Sequence, residues 1–325
     1  MTTSRALWLT GIRQVELRQA PLASVPQGEL LIESRFGAIS RGTEALVADG
    51  SVPESEHDCM RAPLQDGEFP FPVKYGYAVV GTIKAGPAQC MGETVFCLHP
   101  HQDLFHAPAK MAIPVPPNVP ATRAVLAANM ETALNGIWDA GILAGDKVTV
   151  VGGGLVGLLV AFLSAKVPGA QVTLVDVNPD RRALAETLGC RFALPDEAEA
   201  SACDSDVVIH ASATSDGLAT AIAVAGFEAR IVEMSWYGEG TSAVPLGGRF
   251  HSHRLAIVGS QVGHVPATRR ARWPLSRRLE TALALLADDR LDNLISGETA
   301  FDDLAGRYIR ILSDPDTLCH RIRYF

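Results

Sequence analysis

The stretch Lys147-Val148-Thr149-Val150-Val151-Gly152-Gly153-Gly154-Leu155-Val156-Gly157 decides the fold. After the lysine come four β-branched residues, the composition of a strand buried on both faces. Glycines at 152, 154 and 157 then satisfy G-x-G-x-x-G, and Leu158 to Lys166 continues as an apolar helix. Each glycine has its own reason. Gly152 permits the tight turn, Gly154 lets the backbone approach a pyrophosphate, and Gly157 lets helix and strand pack closely. The first helical residues, Leu155 and Val156, offer unpaired N–H groups and a positive dipole end to phosphates.

Working outward, a second strand Gln171–Val175 ends in Asp176, 24 residues after Gly152. A carboxylate there can accept both ribose hydroxyls of a dinucleotide and repels a 2′-phosphate, which favours NAD(H) over NADP(H). Arg181 and Arg182 lie close downstream and pull the other way. A flavin dinucleotide shares the phosphate chemistry, but the mid-chain position of the turn counts against it. Further strands at Asp206–His210, Arg230–Met234 and Leu255–Val258 alternate with helical segments, the pattern of a doubly wound parallel sheet, a Rossmann domain. Ser212 and Ser260, just beyond two of these strands, are additional candidate cofactor contacts.

The first third is different. Short β-rich runs, Glu29–Glu33, Val73–Ile83 and Thr94–Leu98, are punctuated by glycine and proline, as in a barrel-like β domain. The proline-dense segment Ile113–Pro120 forbids regular ladders and marks a linker. The tail carries two amphipathic helices, Leu275–Asp288 and Phe301–Ile311. The expected organisation is a β-rich substrate domain of 1–128 with 263–325, and an α/β dinucleotide domain of 129–262.

A chain of 325 residues with 47% hydrophobic and 20% charged residues can build two cores and is far from the disordered class. Net charge is −8, and arginines gather only at Arg269-Arg270-Ala271-Arg272 and Arg277-Arg278, so nucleic acid is not an expected partner. The six cysteines show no CxxC spacing and read as reduced thiols. The first residues lack the apolar block of an export signal, which points to the cytoplasm. Val148 to Ala165 is apolar enough to suggest a membrane span, but its glycines and β-branched start argue for strand, turn and helix, and no membrane association is expected.

The order of β-rich front, central Rossmann domain and returning tail resembles the medium-chain dehydrogenase/reductase superfamily, the zinc alcohol dehydrogenase-like enzymes. The resemblance covers nearly the whole chain. It rests on Gly37-Ala38-Ile39-Ser40-Arg41-Gly42-Thr43-Glu44, on Pro72-Val73-Lys74-Tyr75-Gly76-Tyr77-Ala78-Val79-Val80-Gly81, on the Gly152 turn and on Ile257-Val258-Gly259-Ser260. It implies a GroES-like catalytic domain and hydride transfer at C4 of a nicotinamide. Zinc members carry a cysteine ligand in the first segment and a Gly-His-Glu in the second. Here Ser40 or Arg41 replaces the cysteine, and Tyr77-Ala78 replaces His-Glu. Hydroxyl and phenol are poor zinc ligands beside thiolate and imidazole. The clustered cysteines of a structural zinc lobe are also missing, so neither zinc is expected. Ile39 to Glu44 is further similar to the zinc-less branch that includes bacteriochlorophyllide a dehydrogenase-like proteins.

Without zinc, hydride transfer still needs a proton donor or acceptor and a stabiliser for the developing oxyanion. The candidates are Tyr77 as phenolic acid, Ser40 or Thr43 as relay hydroxyls, Arg41 as electrostatic stabiliser and Glu131 at the start of the helix after the linker. Each has a blander reading. Tyr77 can be a core aromatic, Arg41 a phosphate contact or a partner of Glu44, and Glu131 a helix-dipole residue. His99, His101 and His106 form His-Pro-His-x4-His, which invites a metal, but a histidine loop lining a cleft or facing solvent is the stronger reading.

The resulting expectation is a zinc-independent, NAD(H)-dependent oxidoreductase of an alcohol/carbonyl pair. The alternatives are an NADPH-dependent enone or quinone reductase and a non-catalytic dinucleotide-binding sensor. A homodimer is expected through Leu255–Gly259, since an apolar sheet edge left bare is an aggregation hazard.

Overall fold

The computed structural model describes residues 2–325. The chain divides into two compact units, one running up to Ala128 and resuming at Leu279–Phe325, the other spanning Asn129–Arg278.

In the first unit, β1 (Thr3–Gly11) and β2 (Gln14–Pro21) form an antiparallel hairpin that extends through β5 (Val73–Lys74) to β4 (Asp66–Gly67). A larger sheet takes the order β16-β17-β3-β6-β7-β9, from Ile295–Ala300, Cys319–Arg323, Glu29–Ser40, Val79–Ala85, Thr94–Cys97 and Ile113–Pro114, with β8 (Leu104–Pro108) also paired to β3. Leu30, Ile32, Val79, Ile83, Val95 and Phe105 bury its core face. Two helices matter to the site, α1 (Arg41–Ala48) and α10 (Leu304–Ser313), and a single helical turn, α2 (Ala121–Ala124), precedes the second unit.

Two sequence expectations change here. The run Val73–Ile83 is broken: Tyr75 to Ala78 is irregular, with Gly76 at φ +114, so β5 and β6 are separate strands. The proline segment is also not purely a linker. Ile113–Pro114 pairs with Val95–Phe96 at the sheet edge, where a residue without an N–H is tolerated.

The second unit holds a six-stranded parallel sheet, order β12-β11-β10-β13-β14-β15, from Arg191–Ala193, Gln171–Val175, Lys147–Val151, Ser205–His210, Ala225–Glu233 and Ala256–Gly259. Its helices are α3 (Ala127–Ala140), α4 (Leu155–Ser164), α5 (Arg181–Thr187), α6 (Ala198–Ala202), α7 (Ser215–Val224), α8 (Arg249–Ser252) and the start of α9 (Leu275–Leu285). Val151, Val175, Val208 and Ile231 from four strands pack with Leu218 and Ile222 of α7. Each such side chain contributes roughly 1.5–3 kcal/mol on full burial. The three-residue β12 escaped the sequence reading because Arg191 and two further residues are too short a period to register.

Residues 263–278 belong with this unit, not with the first as the sequence suggested. The cause is Arg278, which is 2% exposed and ties the segment to α3. Among the described residues no helix is long and apolar enough to cross a membrane, and the Val148–Ala165 run is β10, the glycine turn and α4.

Candidate functional site

The turn between β10 and α4 shows why each glycine is required. Gly152 has φ +112, and a Cβ there would stand 2.7 Å from the Ser212 nitrogen. At Gly157 a Cβ would lie 1.9 Å from the Gly152 carbonyl oxygen, so helix and turn touch backbone to backbone. Gly154, the N-cap of α4, is the opposite case: nothing lies within 4 Å of its added Cβ. The open space in front of Gly154 faces the N–H groups at the start of a ten-residue buried helix, the setting in which phosphate is held. Leu155 is buried and Val156 half-buried in that first turn.

Asp176 follows β11 directly. Its Oδ2 accepts from the Gly153 N–H and its Oδ1 from the Asn178 N–H at 2.8 Å, which fixes the carboxylate beside the turn. Each oxygen keeps a lone pair for a ribose hydroxyl. Arg182 is engaged elsewhere, stacked 4.7 Å over Phe192 and 3.7 Å from Glu197, while Arg181 opens α5.

Past β13 the structure reveals a chain of polar groups that sequence reasoning did not assemble. His210 is fully buried; its Nε2 lies 2.6 Å from Ser212 Oγ and its Nδ1 2.6 Å from Glu233 Oε2. Thr214 Oγ1 lies 3.0 Å from Ser212 Oγ, and the Tyr237 hydroxyl donates to Glu233 at 3.3 Å. The Glu233 carboxyl is held below its usual range by His210 and Ser235, in spite of burial, which pushes it up. The available signal was a polar residue closing each apolar strand. Ser260, at the end of β15, donates to Asp139 at 2.6 Å.

In the first unit, Ser40 ends β3 and Arg41 and Thr43 begin α1. Both hydroxyl side chains, Ser40 and Thr43, hydrogen-bond Tyr77. Burial, followed by the Glu44 charge, pushes the Tyr77 phenol up to about 12, so it stays protonated at neutral pH as a donor. Glu44 is fully buried beneath this group. Its Oε1 accepts from the Ser40 N–H at 2.7 Å, and its Oε2 is 2.8 Å from His101 Nε2 and accepts from the Tyr308 hydroxyl at 2.6 Å. Arg41 does not pair with Glu44; its guanidinium donates to the Asp314 carbonyl at 3.3 Å.

His99 and His101 are buried instead of forming a solvated loop, while His106 is half-buried. His99 stacks on Phe105 at 3.6 Å with Nδ1 on the Pro100 carbonyl, His101 is spent on Glu44, and His106 lies in β8. Glu131, a sequence candidate for catalysis, is buried in an ion pair with Arg278 at 3.0 Å. Arg278 also donates to Asn135 at 2.5 Å and to the Val262 carbonyl. That commits the Glu131 carboxylate to holding a segment in place.

Comparison with known proteins follows this geometry. Residues 156–282 match the family described as zinc-binding dehydrogenase. No curated protein matches. Among solved structures, one assigned as a zinc-binding dehydrogenase from Sinorhizobium meliloti 1021, bound to NADP, is 18% identical over 100% of both chains at a TM-score of 0.79. L-idonate 5-dehydrogenase from Escherichia coli K-12 is 15% identical over 99% of both chains at 0.81. A thermostable alcohol dehydrogenase from Pyrobaculum aerophilum is 19% identical over 99% of this chain and 100% of its own at 0.78. The fold is the one these dehydrogenase structures share.

At the positions where the sequence resemblance places zinc ligands, this chain's residues do not fit a catalytic zinc. The positions that carry thiolate and imidazole in zinc members hold Ser40 or Arg41, depending on register, and Tyr77; Ser40 hydrogen-bonds Tyr77 and Arg41 bonds the Asp314 carbonyl. A nicotinamide dinucleotide fits the open cradle at Gly154 and the carboxylate of Asp176.

Proposed function

We propose that the chain is a zinc-independent, NAD(H)-dependent oxidoreductase of an alcohol/carbonyl pair. The observation that carries the reading is the glycine turn with Asp176 locked beside it, a cradle open only where a pyrophosphate would rest. Gly152, Gly154, Leu155, Val156 and Gly157 hold the phosphates, Asp176 holds the adenosine ribose, and Arg181, Ser212 and Ser260 border the cofactor. The bound nicotinamide supplies or accepts the hydride.

The chain's own groups handle the proton. Tyr77, held protonated, donates its hydrogen to a substrate oxygen as negative charge develops there, the role zinc fills in other members. Ser40 and Thr43 orient the phenol and return a proton from solvent to the phenolate that the transfer leaves behind. Glu44 fixes Ser40 through its N–H, with His101 and Tyr308 as anchors. Arg41 adds positive charge at the start of α1. Asp176 favours NAD(H), since a 2′-phosphate would meet its charge. Two copies pair edge to edge through β15, the outer strand of the parallel sheet, whose residues are exposed or half-buried. A strictly monomeric species in sedimentation would refute that pairing.

The test is turnover of an alcohol and carbonyl panel with NAD(H), followed by absorbance of the reduced cofactor. Tyr77→Phe is expected to lower kcat by about 10²–10⁴ while leaving the cofactor Kd unchanged, a range typical of a lost general acid. Chelator treatment is expected to leave activity intact. Absence of calorimetric affinity for either nicotinamide dinucleotide overturns the reading.

A further inference from the structure

The stretch 261–279 contains five arginines and no aspartate or glutamate, in a chain of net charge −8. Arg278 is buried, but Arg269, Arg270, Arg272 and Arg277 are exposed. The same stretch surrounds a cavity of about 250 Å³ lined by His264, Val265, Arg270, Trp273 and Leu275. The chain's main concentration of positive charge therefore borders a concave site.

The walls of this cavity are fixed from one face of α3. Glu131, Asn135, Trp138 and Asp139 are spaced to share that face. Glu131 and Asn135 hold Arg278, Asn135 Nδ2 donates to the Gln261 carbonyl at 3.4 Å, and Asp139 accepts from Ser260. Trp138 meets Trp273 edge-on at 4.8 Å. Two arginines are taken up by these rings: Arg269 lies 5.4 Å over Trp138 and Arg277 lies 3.9 Å over Trp273. Arg270 is different. It lines the cavity, and its guanidinium makes no hydrogen bond or ion pair among the described residues.

We propose that this cavity is an oxyanion site that receives the carboxylate or phosphate group of the substrate, so that the alcohol/carbonyl pair is an acidic one. A guanidinium binds either group bidentately, and His264, which also lines the cavity, supplies a second donor. A local positive field on an acidic protein also steers anions towards it. The segment leaves the carboxyl end of β15, the same sheet edge that carries the Gly152 turn, and ligands of such sheets bind off their carboxyl ends. The proposal rests on the oxidoreductase reading for its choice of substrate, but not for the anion site itself.

The test separates the two. Inorganic phosphate and malonate are titrated into the cofactor-free protein, with sodium chloride at matched ionic strength as control, and tryptophan emission is recorded. A saturable change beyond the chloride control is expected from at least one anion, weakened about tenfold in Arg270→Ala, the loss expected for a charge-assisted contact. The tighter anion identifies phosphate or carboxylate as the group recognised. With NADH, carbonyls bearing that group are expected to show a lower KM than neutral analogues, an advantage lost in Arg270→Ala. No saturable response to either anion overturns the site, whatever the cofactor measurements show. Anion binding without any preference for acidic carbonyls overturns the substrate assignment. Failure to bind NADH leaves the titration valid and removes only the function on which the substrate class depends.

Discussion

Arg278 Nε lies 3.0 Å from Glu131 Oε1, and the two side chains are only 2% and 6% exposed. Burial pushes the Glu131 carboxyl up and the guanidinium pulls it back. Removing one partner leaves the other charge buried alone. Arg278→Ala is expected to cost about 3–5 kcal/mol in urea unfolding, while the paired replacement Arg278→Met with Glu131→Leu costs much less. Equal costs for the single and the double variant would show that the pair is not the interaction that matters.

The glycine turn separates folding from binding. Gly154→Ala adds a methyl into empty space at φ −71 and is expected to leave stability within about 0.5 kcal/mol, while weakening cofactor binding by more than about tenfold. Gly157→Ala drives a methyl against the Gly152 carbonyl and is expected to cost about 1–3 kcal/mol as well as affinity. Thermal melts and calorimetry on both variants check this; a Gly154→Ala protein with full affinity contradicts the placement of the phosphates.

Asp176→Asn keeps an acceptor for the Gly153 N–H and removes the charge. The ratio of NADP(H) to NAD(H) affinity is expected to rise about tenfold, the scale of one screened charge repulsion. An unmoved ratio means the carboxylate does not set cofactor choice.

His99 offers a pH signature. Burial pushes its imidazole from 6.5 down to about 3. Between those values the unfolded chain binds a proton that the folded one refuses, so the ring's contribution is full above pH 6.5. It is lost as pH falls, by about 1.4 kcal/mol per unit within the window. Urea midpoints at pH 7 and 4.5 are expected to differ less in His99→Gln than in the parent chain. An identical difference excludes His99 as the source.

The local features were legible in the sequence. Lys147–Val151 and Gln171–Val175 appear with the bounds expected of them, because a β-branched run closed by glycine or aspartate states its own ends. What could not be read is partnership across the chain. Glu44 was visible in its motif, yet His101 and Tyr308 reach it from distant segments that only the folded sheet brings together. Glu131 looked available for chemistry because nothing local announces Arg278. His210 and Glu233 close adjacent strands, and their contact depends on strand order, which periodicity does not encode.

Cys319 of β17 pairs with Ser40 of β3, and Arg323 with Phe36. During synthesis the β-rich unit therefore has to wait for its closing strand, while Asn129–Arg278 is continuous and is complete earlier. The dinucleotide unit is accordingly the first to mature on the ribosome. Until β17 arrives, β3 presents an unmet row of amides and carbonyls, which makes the nascent front unit the stage most exposed to misassociation and to chaperone capture.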